Sequence, residues 1–221
     1  MRFASRSILT GFLLLAFAGS ASTRAHAAGG DNKEETPGIS LTPYIGVNIP
    51  TADLLGLGSG TGSPDSTFKL KAGVTFGGRL GIGLTQRLGL SFDVGYSPGT
   101  IDFGQGGASV NQDIKVLTGS GKVVYFLIPS TKMVWTNVSA GVAVVRHTVT
   151  ADNTQGLKSA TNVGGVVGGA AGIKLGQIVS LSASIEDYIY KAKFDVTGGQ
   201  SSKMQNDVRI TAGVHFPFLG M

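Results

Sequence analysis

The 221-residue sequence has no cysteine, one tryptophan and only 14% charged residues. Without cysteine there is no disulfide to staple an exported fold and no thiol to carry a lipid anchor. Stability must then come from secondary structure or from a membrane. Helical signals are missing too: beyond the N-terminus no segment repeats apolar residues every 3.6 positions, so helices are not expected in the body. Glycine, in contrast, is abundant at 35 residues, which is unusual for a compact soluble enzyme.

The N-terminus reads as an export signal. Arg2 and Arg6 precede an apolar stretch from Ile8 to Ala18, then come small residues and the triplet Ala25-His26-Ala27. The stretch is shorter than the ~20 residues of a membrane-crossing helix. A cleavable signal peptide over residues 1–27, cut before Ala28, is therefore expected. Removing Arg2, Arg6 and Arg24 leaves 15 of 18 basic residues against 13 acidic ones, a net charge of about +2. No basic run with interleaved aromatics remains, so nucleic acid is not an expected partner. Residues 28–39, with Gly29-Gly30, the charged run Asp31 to Glu35 and Pro37, form a flexible lead-in.

From residue 40 to 218 apolar residues recur with period two, which places alternate side chains on opposite faces of a strand. Eight such segments are predicted: Ser40 to Ile49, Lys69 to Leu84, Leu88 to Tyr96, Ile114 to Ile128, Val134 to Arg146, Val163 to Leu175, Val179 to Tyr190 and Asp207 to Phe218. In the second, Leu70, Ala72, Val74, Phe76, Leu80 and Ile82 share one face, opposite Lys71, Thr75, Arg79 and several glycines. The fourth is the least regular. Lys115 and Lys122 fall on opposite faces, which predicts a slip or bulge near Gly119 or Gly121.

The connections alternate strictly. Those over 50–68, 98–113, 147–162 and 191–206 are long, whereas 85–87, 129–132 and 176–177 are short. An up-and-down meander collects long loops at one rim and tight turns at the other, the asymmetry of outer-membrane barrels. The rows holding Lys71, Arg79, Asp93, Lys174, Glu186 and Arg209 are otherwise Gly, Ser and Thr, which cannot form a hydrophobic core. The apolar rows must then face lipid, and only a closed sheet satisfies its backbone there. The fold class expected is all-β, an eight-stranded antiparallel up-and-down transmembrane β-barrel. A soluble periplasmic barrel with an apolar ligand is the weaker alternative.

From Ser40 to Phe218 the chain resembles the small outer-membrane β-barrel superfamily of the OmpA membrane domain, the OmpX/Ail-type proteins and the opacity-like porins. The resemblance rests on the strand pattern, on Glu186-Asp187-Tyr188, and on the final strand from Arg209 to Phe218. It implies outer-membrane lipid as the surroundings. It also implies that the C-terminal aromatic strand, with Phe216 and Phe218, is read by the barrel-assembly machinery. Leu219-Gly220-Met221 follow that aromatic, where the family often ends on it.

Chemistry-bearing residues are few. After cleavage only His147 and His215 remain, expected at opposite ends of the barrel, so no shared nucleophile and base is expected, nor a metal or cofactor site. The chain is thus read as non-enzymatic, with a structural or surface-interaction role for its four long loops, toward an extracellular partner the sequence does not identify. A narrow channel for small solutes or anions is the alternative. For the lumen, Lys71, Arg79, Lys122, Lys174 and Arg209 are expected to point inward and to pair with Asp93 and Glu186, five cations against two anions. If the barrel conducts, this excess favours small, anion-preferring currents.

Overall fold

A strand with one apolar and one small polar face persists only if its backbone N–H and C=O groups find neighbours on both edges. In the computed structural model, which describes residues 38–51, 55–57, 66–105, 108–149, 159–176, 178–196 and 199–219, the chain achieves this by closing on itself. The strands are β1 (Ile39–Pro50), β2 (Leu55–Leu57), β3 (Ser66–Leu70), β4 (Gly73–Gly83), β5 (Leu88–Gln105), β6 (Ala108–Ile128), β7 (Val134–Val149), β8 (Ala160–Lys174), β9 (Ser180–Val196) and β10 (Gly199–Leu219). Neighbours around the wall run β4, β1, β10, β9, β8, β7, β6, β5, and β5 returns to β4. β3 and β4 both lie along β5, from Thr67 opposite Gly104 down to Gly83 opposite Gly89, with a break at Lys71 and Ala72. Together they make one wall strand. β2 adds a short antiparallel partner to β3. The wall is therefore the closed, eight-stranded, antiparallel up-and-down barrel that the periodicity demands.

The apolar rows point outward. Ile45, Val94, Val142 and Val163 are 61%, 61%, 68% and 71% exposed. A continuous band of this kind is not left bare to water by a soluble monomer. It overturns the soluble apolar-lined barrel, whose apolar rows would point inward. On β6 the outward row runs Leu117, Gly119, Gly121, Val123, Tyr125, Leu127, and exposed Lys115 stands just beyond it. On β7 it runs from Val134 to Val144, bounded by exposed Lys132 and Arg146. Each span fits the ~9–11 residues with which a tilted strand crosses hydrocarbon.

Two expectations fail for one reason. No slip occurs at Gly119 or Gly121: β6 and β7 stay in register from Ile114 opposite Val149 to Phe126 opposite Asn137, and the irregularity falls between Phe126 and Ile128. Lys115 faces outward and Lys122 inward without any slip, because Lys115 lies past the apolar belt. Likewise, much of the expected loops 98–113 and 191–206 is paired strand. β5 and β6 remain matched up to Gln105 opposite Ala108, and β9 and β10 up to Val196 opposite Gly199. At ~3.4 Å per residue the 18 residues of β5 extend roughly 60 Å, far beyond the belt. The apolar alternation marks the belt, whereas hydrogen bonding continues past it. The barrel itself runs one residue beyond 40–218 at each end. The expected signal peptide 1–27 and residues 28–37 of the lead-in lie outside the described residues.

Candidate functional site

Because β-strand side chains alternate, the lumen is lined by a single row from each strand, and register decides which rows meet. Arg79 of β4 sits opposite Asp93 of β5, and Arg209 of β10 opposite Glu186 of β9. Lys122 comes from β6 on the inward row of Thr118, Ser120 and Val124. These five gather at mid-height. Arg209 Nη1 lies 2.9 Å from Asp93 Oδ1, Arg79 Nε 3.4 Å from Asp93 Oδ2, and Arg79 Nη2 2.9 Å from Glu186 Oε1. The Lys122 ammonium also donates to Glu186 Oε1.

The cluster therefore holds three cations and two carboxylates. Four of the five side chains are nearly or fully buried, and Arg79 is the partly exposed one. Isolated charges would be untenable at that depth, so each must share its partners. The surplus positive charge is met by aromatic and hydroxyl groups. The Arg209 guanidinium lies over the Tyr188 ring at 4.4 Å and that of Arg79 over Tyr44 at 5.7 Å. Tyr44 donates to Asp93 Oδ1 at 3.0 Å, Tyr188 donates to Glu186 Oε2 at 3.2 Å, and Arg209 donates to Tyr44 and Thr118. Gly95 makes this crowding possible: a Cβ there would lie within 2.8 Å of the Tyr44 hydroxyl, Arg209 Nη1 and Thr118 Oγ1.

Of the residues expected in the lumen network, Arg79, Asp93, Lys122, Glu186 and Arg209 are thus brought together. Lys71 and Lys174 are not part of this cluster. Lys71 is exposed at the break between β3 and β4, because the inward row is interrupted there. Lys174 ends β8 at the turn side and donates to the Thr131 carbonyl at 3.0 Å. Among the expected C-terminal aromatics, Phe218 projects outward, 61% exposed, with Phe216 half-buried on the same row. Sequence reasoning missed Tyr44, Tyr188 and Thr118 as cluster members. Their shared row with Thr42, Glu186 and Lys122 was the available signal.

Toward the loops the lumen changes character. Ile114, Val116, Ala143, Val145, Val166, Tyr188, Tyr190 and Ala192 form a buried apolar layer across β6 to β9. Tyr190 donates to Asp207 Oδ2 at 2.8 Å, and His147 packs beside it with ring centroids 5.9 Å apart. His147 pairs in register with Val116 and Ala160, at the loop side, while His215 sits opposite Ser180 at the turn side. The two histidines are at opposite ends of the lumen. Below the cluster, toward the short turns, a chamber of about 210 Å³ opens.

A closed eight-stranded wall, apolar outside and charged inside, defines the fold of the small outer-membrane barrels. No family model and no curated protein matches the sequence. Among solved structures the chain is similar to the outer membrane protein OprG from Pseudomonas aeruginosa, with TM-score 0.66 and 10% identity over 84% of this chain and 97% of that one. It is also similar to the outer membrane protein AlkL, determined in DMPC lipid bilayers, with TM-score 0.59 and 16% identity over 89% and 95%. Neisserial surface protein A superposes with TM-score 0.50 and 15% identity over 81% and 97%. At these identities the likeness is one of fold.

Proposed function

We propose that this chain is an exported outer-membrane barrel with a closed lumen, whose role is structural or lies in what its loop end presents to the outside, without catalysis. The observation that carries the reading is the stacking of two filled layers. The fully buried Arg209–Asp93 pair sits at mid-height, and the apolar layer around Val145 and Val166 lies immediately on its loop side. Eight strands leave an interior that side chains fill, and here they do so at the two levels where a conducting path would have to pass. The apolar outer belt and the fold shared with OprG and AlkL support residence in the outer membrane.

The test is planar-bilayer recording of the refolded mature chain, alongside gel migration with and without heating. Heat-modifiable migration and a current indistinguishable from the lipid baseline are expected. Steady single-channel steps would overturn the closed-lumen reading in favour of the narrow channel, and anion preference would then trace to the cluster's surplus cation. Purification as a soluble monomer without detergent would overturn the membrane reading itself.

A further inference from the structure

The turn-side chamber is a space inside the barrel that neither filled layer uses. It runs from the short turns, at Thr85, Ser130 and Thr131, up to Arg79, the member of the ionic cluster that bounds its inner end. Its volume of about 210 Å³ is many times the ~10–15 Å³ that one water requires. The space is kept open by small residues: Gly81, Gly83, Gly89 and Ala170 line it, and Gly172 leaves room for the Trp135 indole. A Cβ at Gly172 would stand 2.3 Å from Trp135 Cζ2.

The lining has a chemical bias. Trp135 meets Phe126 edge-on at 6.2 Å and His215 at a tilt at 6.0 Å between ring centroids. Around them stand the hydroxyls of Ser40, Thr42, Ser91, Ser180 and Ser182 and the amide of Asn137. Arg79, Lys174 and His215 contribute basic groups, and no aspartate or glutamate lines the space. The charge of Arg79 is answered from behind by Asp93 and Glu186. Lys174 is not so answered within the chamber: its ammonium has three donors, and among the described residues its hydrogen bond is to a neutral carbonyl, that of Thr131. A cation beside an aromatic wall, with hydroxyls opposite and no competing carboxylate, suits a small anion with a flat apolar part.

We propose that this chamber is a binding site for small aromatic or planar carboxylates that enter from the turn end, with the edge of Trp135 in its wall as an aromatic contact and Lys174 as the charge partner. That such a solute would come from the periplasm rests on the outer-membrane reading; the binding itself does not, and it is tested in detergent micelles. Trp135 is the chain's single tryptophan, so intrinsic fluorescence reports on this chamber alone. The refolded full-length mature protein would be titrated with benzoate, benzyl alcohol and benzylamine, which share a ring and differ in charge.

A saturable change with benzoate, at least about tenfold weaker for the alcohol and absent for the amine, is expected from one charge-assisted hydrogen bond. Lys174→Gln should weaken benzoate by about the same factor. Asn137→Asp, which adds a carboxylate to the wall without touching Lys174, should weaken it as well and keeps the test decisive if the lysine variant fails to fold. Equal responses to the three probes, no saturable response to benzoate, or unchanged affinity in both variants would overturn the proposal. None of these outcomes depends on conductance or on membrane location.

Discussion

The loop-side and turn-side halves of the lumen are built from the same inward rows of the same strands, yet the first is packed and the second hollow. On the loop side the inward positions carry Ile114, Val145, Val166, Tyr188 and Tyr190, each no more than 2% exposed. On the turn side the same strands present Val124 and Phe126 of β6, Asn137 of β7, Ala170 of β8, and Ser180 and Ser182 of β9 around open space. Between them lies the ionic cluster. The difference teaches that an inward row need not be uniformly polar: filling is set position by position through side-chain volume, while the charges sit where hydroxyls and aromatic faces can surround them.

Because the cluster borders both halves, disrupting it has the largest expected effect. Arg209→Ala removes a fully buried guanidinium that serves Asp93, Tyr44 and Thr118 and stacks on Tyr188. Breaking such a pair from one side costs about 3–5 kcal/mol, read as a lowered urea midpoint for the refolded barrel. Asp93→Ala in the same background should restore part of the loss, since it removes the carboxylate left without its main partner. Additive losses in the double variant would show the pair to be energetically independent.

The contrast between halves is sharpened by truncating one residue in each. Ile114→Ala opens a void in the packed layer, where Ile114 is 1% exposed, and should cost about 2–4 kcal/mol. Ser182→Ala in the chamber wall removes only a hydroxyl that donates to the Gly213 carbonyl at 3.3 Å, and should stay within ~0.5 kcal/mol. Comparable losses from the two would mean that the chamber is filled and load-sharing in solution.

The sequence made the wall legible because lipid imposes a strict rule: every second residue apolar across one belt. Leu88, Leu90, Phe92, Val94 and Tyr96 show it without interruption. The strand ends were not legible for the same reason. Beyond the belt the rule lapses, and residues such as Lys115, Arg146 and Lys191 face water from paired strands. Within the lumen, charge could be read but height could not. Lys71 and Lys174 share inward parity with Arg79, yet they stand at a strand break and at a strand end, away from the cluster. Tyr44 and Tyr188 looked like ordinary members of polar rows until register placed them under the two arginines.

The smallest change of volume, a single carbon added to each half through glycines of β8 that share an inward row, compares the two directly. At Gly164, on the loop side, a Cβ would meet the Ile189 carbonyl oxygen at 2.2 Å and Tyr190 Cβ at 2.5 Å. Both neighbours belong to the rigid wall or the packed layer, so Gly164→Ala must displace strand β9 and should cost about 2 kcal/mol, within the range for overpacking. At Gly172, on the turn side, the nearest obstruction is the Trp135 indole, with the Leu181 carbonyl next at 2.8 Å. The indole has the chamber to move into, so Gly172→Ala should cost about 1 kcal/mol or less. It should also shift Trp135 emission to longer wavelength as the ring leaves the wall. Denaturation midpoints rank the two variants, and the emission spectrum of the second reports whether the chamber is open. A larger loss at Gly172 than at Gly164, with Trp135 emission unmoved, would mean that the turn-side half is as tightly packed as the loop-side half.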